Sequence, residues 1–168
     1  MNRSDNNDPD SLPTGFRYAG VCCGIKDSGK PDLSLITSDW PIVAAGVYTQ
    51  NQVVAAPVVW CRSRTPSTSI RAVVTNSGNA NACTGEQGEH DATEMCSRVA
   101  DHLGCEPSDV LVMSTGVIGV QLPMDRVRMG IDDAVSSGST GLPGFEAAAE
   151  AILTTDQARK TAFRTVEC

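Results

Sequence analysis

One polar segment combines residue types that could stabilise a negative charge: Ser114-Thr115-Gly116-Val117-Ile118-Gly119, directly after the apolar run Asp109 to Ser114. A Thr-Gly step at the carboxyl end of a strand can direct successive backbone N–H groups to one point, with the threonine hydroxyl as a third donor. Such a site would suit a carboxylate or an oxyanion. The Gly-x-x-x-x-Gly-Lys-Ser/Thr pattern of a phosphate loop is absent. An ordinary turn that needs a glycine is an equally good interpretation of these residues.

A second polar segment runs from Asn76 to Gly85 with the sequence NSGNANACTG. Small residues let a ligand or another backbone approach closely, and asparagine tolerates left-handed backbone geometry. The segment could be a binding loop, or a turn whose amides satisfy local backbone groups. Spacing alone moderately favours the turn.

A third candidate is Thr154-Thr155-Asp156, which follows a helical pattern. Adjacent hydroxyls and a carboxylate could hold the polar end of an amino acid. They could equally satisfy the free carbonyl groups at the end of the helix, and local evidence favours that second interpretation.

Composition excludes several functional classes. The 168 residues include 13 Lys and Arg against 20 Asp and Glu, a net charge of −7, which argues against nucleic-acid binding. No apolar run approaches the roughly 20 residues that cross a bilayer, so we expect no membrane partner. The first residues lack the apolar segment of a secretory signal, which favours a cytoplasmic location.

The seven cysteines are expected to be free thiols in a reducing compartment. A metal site would have to use groups spaced six residues apart on a helix, which point about 240° away from each other. We therefore expect no metal and no other cofactor. A cysteine nucleophile is equally disfavoured, because no base or oxyanion donor marks its surroundings. The groups considered for the metal are Cys83, His90, Cys96, His102 and Cys105.

The first half of the chain predicts mainly strands. Residues 1–14 are expected to form a mobile polar tail, and residues 15–168 a single α/β domain. Four runs bounded by turn residues predict strands, the first three as a meander: 16–25, 32–39, 42–49 and 71–75. The run 53–63 is ambiguous between strand and helix, and Pro57 favours a helical first turn or an irregular position.

The second half predicts mainly helices. The Thr84-x-x-Gln87 spacing is typical of a capping box. An apolar stripe then follows the 3.6-residue period, and Gly104 ends the helix. The stripe consists of Ala92, Met95, Cys96, Val99 and Leu103. Residues 109–114 predict a buried strand. A second helix places Met124, Val127, Ile131 and Val135 inward, and a third places Phe145, Ala148, Ala149 and Ile152 inward.

Several motifs taken in order resemble those of the ornithine acetyltransferase (glutamate N-acetyltransferase) family. NSGNANA and STGVIG in one chain are highly specific to that family. The matching segments span most of the chain: GVCCGIK at 20–26, DLSLI at 32–36, AAGVYTQNQVVAAPV at 44–58, NSGNANACTGEQGEHDA at 76–92, VLVMSTGVIGVQLPM at 110–124 and AILTTD at 151–156.

The resemblance implies a fold and an activity. The fold would be a layered α/β sandwich, completed by strands of a second (β) subunit. Members of this family are precursors that cleave themselves before a threonine, which becomes the nucleophile with its own α-amino group as base. They move an acetyl group from N-acetylornithine to glutamate through an acetyl-threonine, releasing ornithine and N-acetylglutamate. The resemblance further implies arginine biosynthesis and an α2β2 or larger assembly.

The resemblance also implies roles for three residues. The STG motif supplies oxyanion donors, which here means Thr115 and Gly116. The first threonine of the TTD motif contacts the amino-acid substrate, which here means Thr154. No catalytic role follows for the NSGNANA segment, which we expect to shape the cleft.

Two departures from the family pattern affect this interpretation. The chain ends before the family's Lys-Gly segment and Ala-Thr cleavage junction, so we expect an N-terminal α subunit that is inactive alone. Residues 157–160 read Gln-Ala-Arg-Lys where Thr-x-x-Lys is expected, with Lys160 keeping the basic position. Two alternatives stay open: a related self-processed amidase or aminopeptidase, and a monomeric module that binds a small anion.

Overall fold

A four-stranded sheet is the centre of the computed structural model, which describes residues 12–162. The strands are β1 (Phe16–Val21), β2 (Leu33–Ala44), β3 (Ser67–Asn79) and β4 (Val110–Val117), in the order β1-β2-β3-β4. Four α-helices accompany them: α1 (Ala56–Arg62), α2 (Gly85–Leu103), α3 (Met124–Ser137) and α4 (Leu142–Ala151). Most of the expected tail, residues 1–11, lies outside the described part of the chain.

The first three strands form an antiparallel meander, whose third strand is β3 and not the expected run 42–49, and β4 pairs parallel with β3. A parallel pair needs a long crossover, which α2 provides. One row of paired residues crosses the whole sheet and is buried: Ala19, Leu35, Val74 and Val112. We call the side of the sheet that bears this row the inner face.

Helices α1, α2 and α3 cover the inner face. The α2 stripe is confirmed, because Met95, Cys96 and Val99 are fully buried. In α3, Val127 and Ile131 are fully buried, while Met124 and Val135 pack at the margin of the core. The 3.6-residue period therefore predicted which side of each helix meets the sheet.

The opposite, outer face of β1 and β2 is covered by α4. Gly20 makes this close packing possible, since a Cβ there would lie 1.9 Å from the carbonyl oxygen of Ala147. Tyr18 packs edge-to-face on Phe145, with ring centroids 5.5 Å apart. The prediction that Ile152 points inward is wrong, because α4 ends at Ala151 and Ile152 is 44% exposed.

Several predicted boundaries differ from the structure. The runs 32–39 and 42–49 are one strand, β2, which ends at Ala44 and has a shifted register between Thr37 and Ile42. Pro41 lies in the shifted part, where a residue without an N–H is tolerated. The ambiguous run 53–63 contains α1, with Pro57 in its first turn.

The capping box predicted at α2 does not form. The Thr84 hydroxyl donates to Asn81 Oδ1 at 2.7 Å, and the Gln87 amide donates to Asp91 Oδ1 at 2.7 Å. The buried amide oxygen of Asn81 thus accepts the hydrogen bond of the Thr84 hydroxyl, which the spacing had predicted to cap the helix. Within residues 12–162, no helix combines the length and apolar character that crossing a membrane requires.

Protonating Asp132 is expected to weaken the contact between α2 and α3. Hydrogen bonds from Arg98 and then His102 lower the pKa of the Asp132 carboxyl to about 2, from its usual value of 3.8. Because the folded pKa is lowered, the stabilisation is present above about pH 4 and is lost as the pH falls towards 2. These side chains are more than a third exposed, so we expect the ionised Asp132 carboxyl to contribute about 1 kcal/mol to the free energy of unfolding.

Urea unfolding of the wild type and Asp132→Asn between about pH 6 and pH 2 measures this contribution. The difference in unfolding free energy should shrink below about pH 4. A difference that stays constant down to pH 2 would contradict an ionic contact.

Candidate active-site cleft

A cleft of about 900 Å³ opens at the carboxyl ends of β3 and β4. Ligand sites of α/β sheets commonly lie at this edge of the sheet. Five chain segments line the cleft: the turn after β1, the end of β3, the end of β4, the segment before α3 and the segment after α4. The lining residues are Ile25, Lys26, Asp27, Ser28, Gly78, Asn79, Thr115, Gly116, Val117, Val120, Gln121, Pro123, Thr154 and Thr155.

Two glycines meet where β3 and β4 enter the cleft. Gly78 and Gly116 are paired across the strands and have φ values of +101° and +138°. A Cβ on Gly116 would lie 2.3 Å from the carbonyl carbon of Gly78 and 2.5 Å from the nitrogen of Asn79. Only glycine allows the two backbones to approach this closely. The STG segment is therefore the end of a paired strand, where the pattern had suggested a loop.

Thr115 and Ser114 have different surroundings. The Ser114 hydroxyl donates to Asn76 Oδ1 at 2.6 Å, which ties β4 to β3. Thr115 is half-buried and lines the cleft beside Gly116. The structure thus places Thr115 and the exposed Gly116 in the lining of one cleft.

The asparagines of the NSGNANA segment bond to backbone groups. Asn76, Asn79 and Asn81 are all buried. The Asn79 amide donates to the carbonyls of Val120 at 2.9 Å and Gln121 at 3.3 Å, which holds the segment before α3 against the end of β3. The amides of Asn76 and Asn81 donate to the nearby carbonyls of Asn79 and Gly88, both at 2.8 Å, as in the interpretation of a turn that satisfies local backbone. Asn79 instead bonds a distant segment and also lines the cleft.

Thr154 and Thr155 are exposed and form another part of the cleft wall. Two carbonyls at the end of α4 accept bonds from other residues. The Ser77 hydroxyl donates to the carbonyl of Ala151, and Lys26 Nζ donates to that of Leu153 at 2.6 Å. These bonds weaken the reading in which the hydroxyls of Thr154 and Thr155 cap the helix.

The turn after β1 is built around one buried carboxylate. Asp32 is fully buried, and its oxygens accept backbone N–H bonds from four consecutive residues at 2.6–3.0 Å. The donors are Cys23, Gly24, Ile25 and Lys26. Convergent N–H groups match the geometry of a carboxylate, so the turn has one defined shape.

The thiol and imidazole groups considered for a metal have separate surroundings. Cys96 is fully buried in the core, where burial raises the pKa of its thiol above the usual range. His102 bonds Asp132 at 2.7 Å. Within residues 12–162, three potential ligands come together only at His90, Asp91 and Glu94, and Glu94 is paired with Arg128.

Comparison with known proteins identifies the family. The ArgJ family model matches residues 17–168. The arginine biosynthesis bifunctional protein ArgJ of Rhodopirellula baltica is 56% identical over 163 residues, which are 95% of this chain and 40% of the relative. That of Symbiobacterium thermophilum is 54% identical over 94% of this chain and 39% of the relative. The chain belongs to the ArgJ family.

Solved ArgJ structures have the same fold. Ornithine acetyltransferase from Mycobacterium tuberculosis, solved with ornithine, superposes with a TM-score of 0.85 at 45% identity over 88% of this chain and 79% of that one. ArgJ from Bacillus halodurans gives 0.81 at 38% identity over 86% and 75%. The resemblance to the ornithine acetyltransferase family and the α/β fold class are confirmed. The chain spans about 40% of the length of its curated ArgJ relatives.

Sequence reasoning missed one residue that lines the ArgJ cleft and one that supports it. Lys26 lines the cleft, and burial lowers the pKa of its ammonium group. Asp32 holds the turn that carries Lys26. Both lie in segments that carried the family resemblance, GVCCGIK and DLSLI. Nothing in their spacing distinguishes them from an ordinary surface lysine and an ordinary turn aspartate.

Proposed function

We propose that this chain is the α subunit of a glutamate N-acetyltransferase that acts in arginine biosynthesis. The observation that carries the proposal is that Thr115, Gly116 and Thr154 line the same cleft. The names of the ArgJ relatives and the ornithine complex of the M. tuberculosis enzyme support the substrate class.

The proposed reaction has two steps that share one nucleophile. The hydroxyl oxygen of the β subunit's N-terminal threonine attacks the acetyl carbon of N-acetylornithine, and its proton passes to that residue's α-amino group. The C–N bond breaks, the ornithine nitrogen takes the proton, and an acetyl-threonine ester remains. The amine of glutamate then attacks the carbonyl carbon of the ester, the C–O bond to threonine breaks, and the threonine oxygen takes the proton that the amine loses. The products are N-acetylglutamate and the free threonine. Both steps pass through a tetrahedral oxyanion.

The oxyanion is the charge that this chain stabilises. The hydroxyl of Thr115 and the backbone N–H of Gly116 are the proposed donors, since both residues line the cleft. The paired Gly78–Gly116 backbone holds that wall in place before substrate binds. Donors fixed in advance stabilise a developing charge without reorganising during the reaction.

Thr154 is the proposed contact to the amino-acid part of the substrate. It follows α4 and lines the same cleft as Thr115. Because other residues satisfy the carbonyls of Ala151 and Leu153, the Thr154 hydroxyl is available to a ligand.

The β subunit is proposed to cover the outer face of β3 and β4. Met113 and Val117 are 56% and 59% exposed there, and Thr115 lies between them on the same side of β4. A partner strand packed on Met113 would therefore come close to Thr115. This arrangement would complete the sandwich, within an α2β2 or larger assembly in the cytoplasm. Without the β subunit the chain would lack the nucleophile and would be inactive.

The full-length gene provides the test of this function. We expect the purified product to contain a second polypeptide that begins with threonine and is contiguous with this chain in the precursor. Intact mass and N-terminal sequencing check that expectation. The complex should release ornithine from N-acetylornithine when glutamate is supplied, and a correctly processed complex that transfers no acetyl group would refute the proposal.

A further inference from the structure

Lys26 connects two distant parts of the cleft. Its Nζ donates to the carbonyl of Pro31 at 2.8 Å and to that of Leu153 at 2.6 Å. Leu153 immediately precedes Thr154, so the second bond fixes the backbone next to the proposed substrate contact. The ammonium group also lies at the carboxyl end of α4, where a positive charge is favoured.

The position of Lys26 is itself fixed by the buried turn. Its backbone N–H donates to Asp32 Oδ2 at 2.9 Å, alongside the N–H groups of three preceding residues. Asp32 is fully buried at the start of β2. The sheet thus holds the lysine backbone, and the lysine side chain holds the segment after α4.

The stem of Lys26 also contacts the wall that carries the proposed oxyanion donors. A Cβ on Gly78 would lie 3.0 Å from Lys26 Cγ, so the two residues are closely packed. Gly78 is in turn paired with Gly116. Lys26 therefore lies between the glycine pair and the segment of Thr154.

We propose that Lys26 is a positioning residue, whose ammonium group holds Thr154 at a set place relative to Thr115 and Gly116. The inference rests on the proposed function, since it assigns Lys26 a role in placing the amino-acid substrate. Lys26 acts through Thr154, so its removal should affect substrate binding by way of that residue.

A double-mutant cycle in the full-length, processed enzyme tests the proposal. Lys26→Met is expected to raise KM for N-acetylornithine by about tenfold, because a misplaced contact group loses much of its interaction. Thr154→Val should raise KM similarly. Once Thr154 is already replaced, adding Lys26→Met should change KM less than twofold, because the two residues act on one contact.

Lys30 supplies a matched control. It is an exposed lysine on the same turn, outside the cleft lining. Lys30→Met should leave KM and kcat as in the wild type. Lys26→Arg keeps donors for the two carbonyls and should recover part of the loss. Because Lys30→Met removes the same charge outside the cleft, an unchanged KM in that variant excludes a general effect of net charge.

The outcomes separate this proposal from the proposed function. An inactive wild-type enzyme would refute the function itself. An active wild type with an unchanged KM in Lys26→Met, or with fully additive effects of the two substitutions, would overturn the role of Lys26 alone. If Lys26→Met fails to fold, the same cycle with Lys26→Gln decides between coupled and additive effects.

Discussion

Replacing Thr115 by alanine is expected to slow acetyl transfer by about 10²–10³-fold, the cost of removing one oxyanion donor. The substitution removes the hydroxyl that lines the cleft beside Gly116. Thr115 is half-buried at the end of β4, and its Cβ remains in alanine, so the strand should keep its pairing with β3. Single-turnover measurement of ornithine release from N-acetylornithine reports the first acyl-transfer step directly.

The pattern of kinetic constants distinguishes an oxyanion donor from a binding residue. A donor that acts on the tetrahedral intermediate lowers kcat and kcat/KM together, whereas a ground-state contact raises KM. Thr115→Ser retains a hydroxyl and should keep most of the activity. An unchanged rate in a folded, processed Thr115→Ala enzyme would remove Thr115 from this role.

Local sequence patterns could predict the parts of this site that depend on neighbours along the chain. Thr115 and Gly116 follow a β-branched apolar run, and a strand that ends in Thr-Gly predicts donors at one point. The apolar stripe of α2 was likewise visible, because the helical period decides which side is buried. Resemblance to a family then favoured the oxyanion interpretation of Thr115 and Gly116, which the residues alone left equal with an ordinary turn.

Contacts between distant residues could not be predicted in this way. The bond from Lys26 to Leu153 joins positions 127 apart, and nothing near either residue indicates it. The capping box of α2 was wrong for a similar reason, since a buried amide of Asn81 competes for Thr84. Buried polar groups must find partners, and the fold decides which ones.

The glycine at position 116 illustrates how packing adds to a local requirement. Its φ of +138° already favours glycine, as does the +82° of Gly119 three residues later. A Cβ on Gly119 would meet nothing within 4 Å, whereas one on Gly116 would overlap the backbone of Gly78. The two glycines of one motif therefore have different reasons to be glycine.

Among the proposed substitutions, Gly116→Ala is accordingly expected to destabilise the fold most. Backbone strain of about 1–3 kcal/mol adds to about 1–3 kcal/mol for the overlap with Gly78. The overlap involves backbone atoms on both strands, so β3 and β4 must separate at the wall that carries Thr115. We expect a loss of about 2–6 kcal/mol in unfolding free energy, together with loss of acetyl transfer.

Gly119→Ala is the matched control, because it introduces the same methyl group at a positive φ without the overlap. It should show only the strain, about 1–3 kcal/mol, and should retain acetyl transfer. Urea unfolding of the two variants compares them directly. Equal losses would mean that the close approach of Gly78 and Gly116 contributes nothing beyond backbone strain. A larger loss of unfolding free energy in Gly116→Ala would instead show that this contact stabilises the wall that carries Thr115. The proposed oxyanion site needs such a fixed wall.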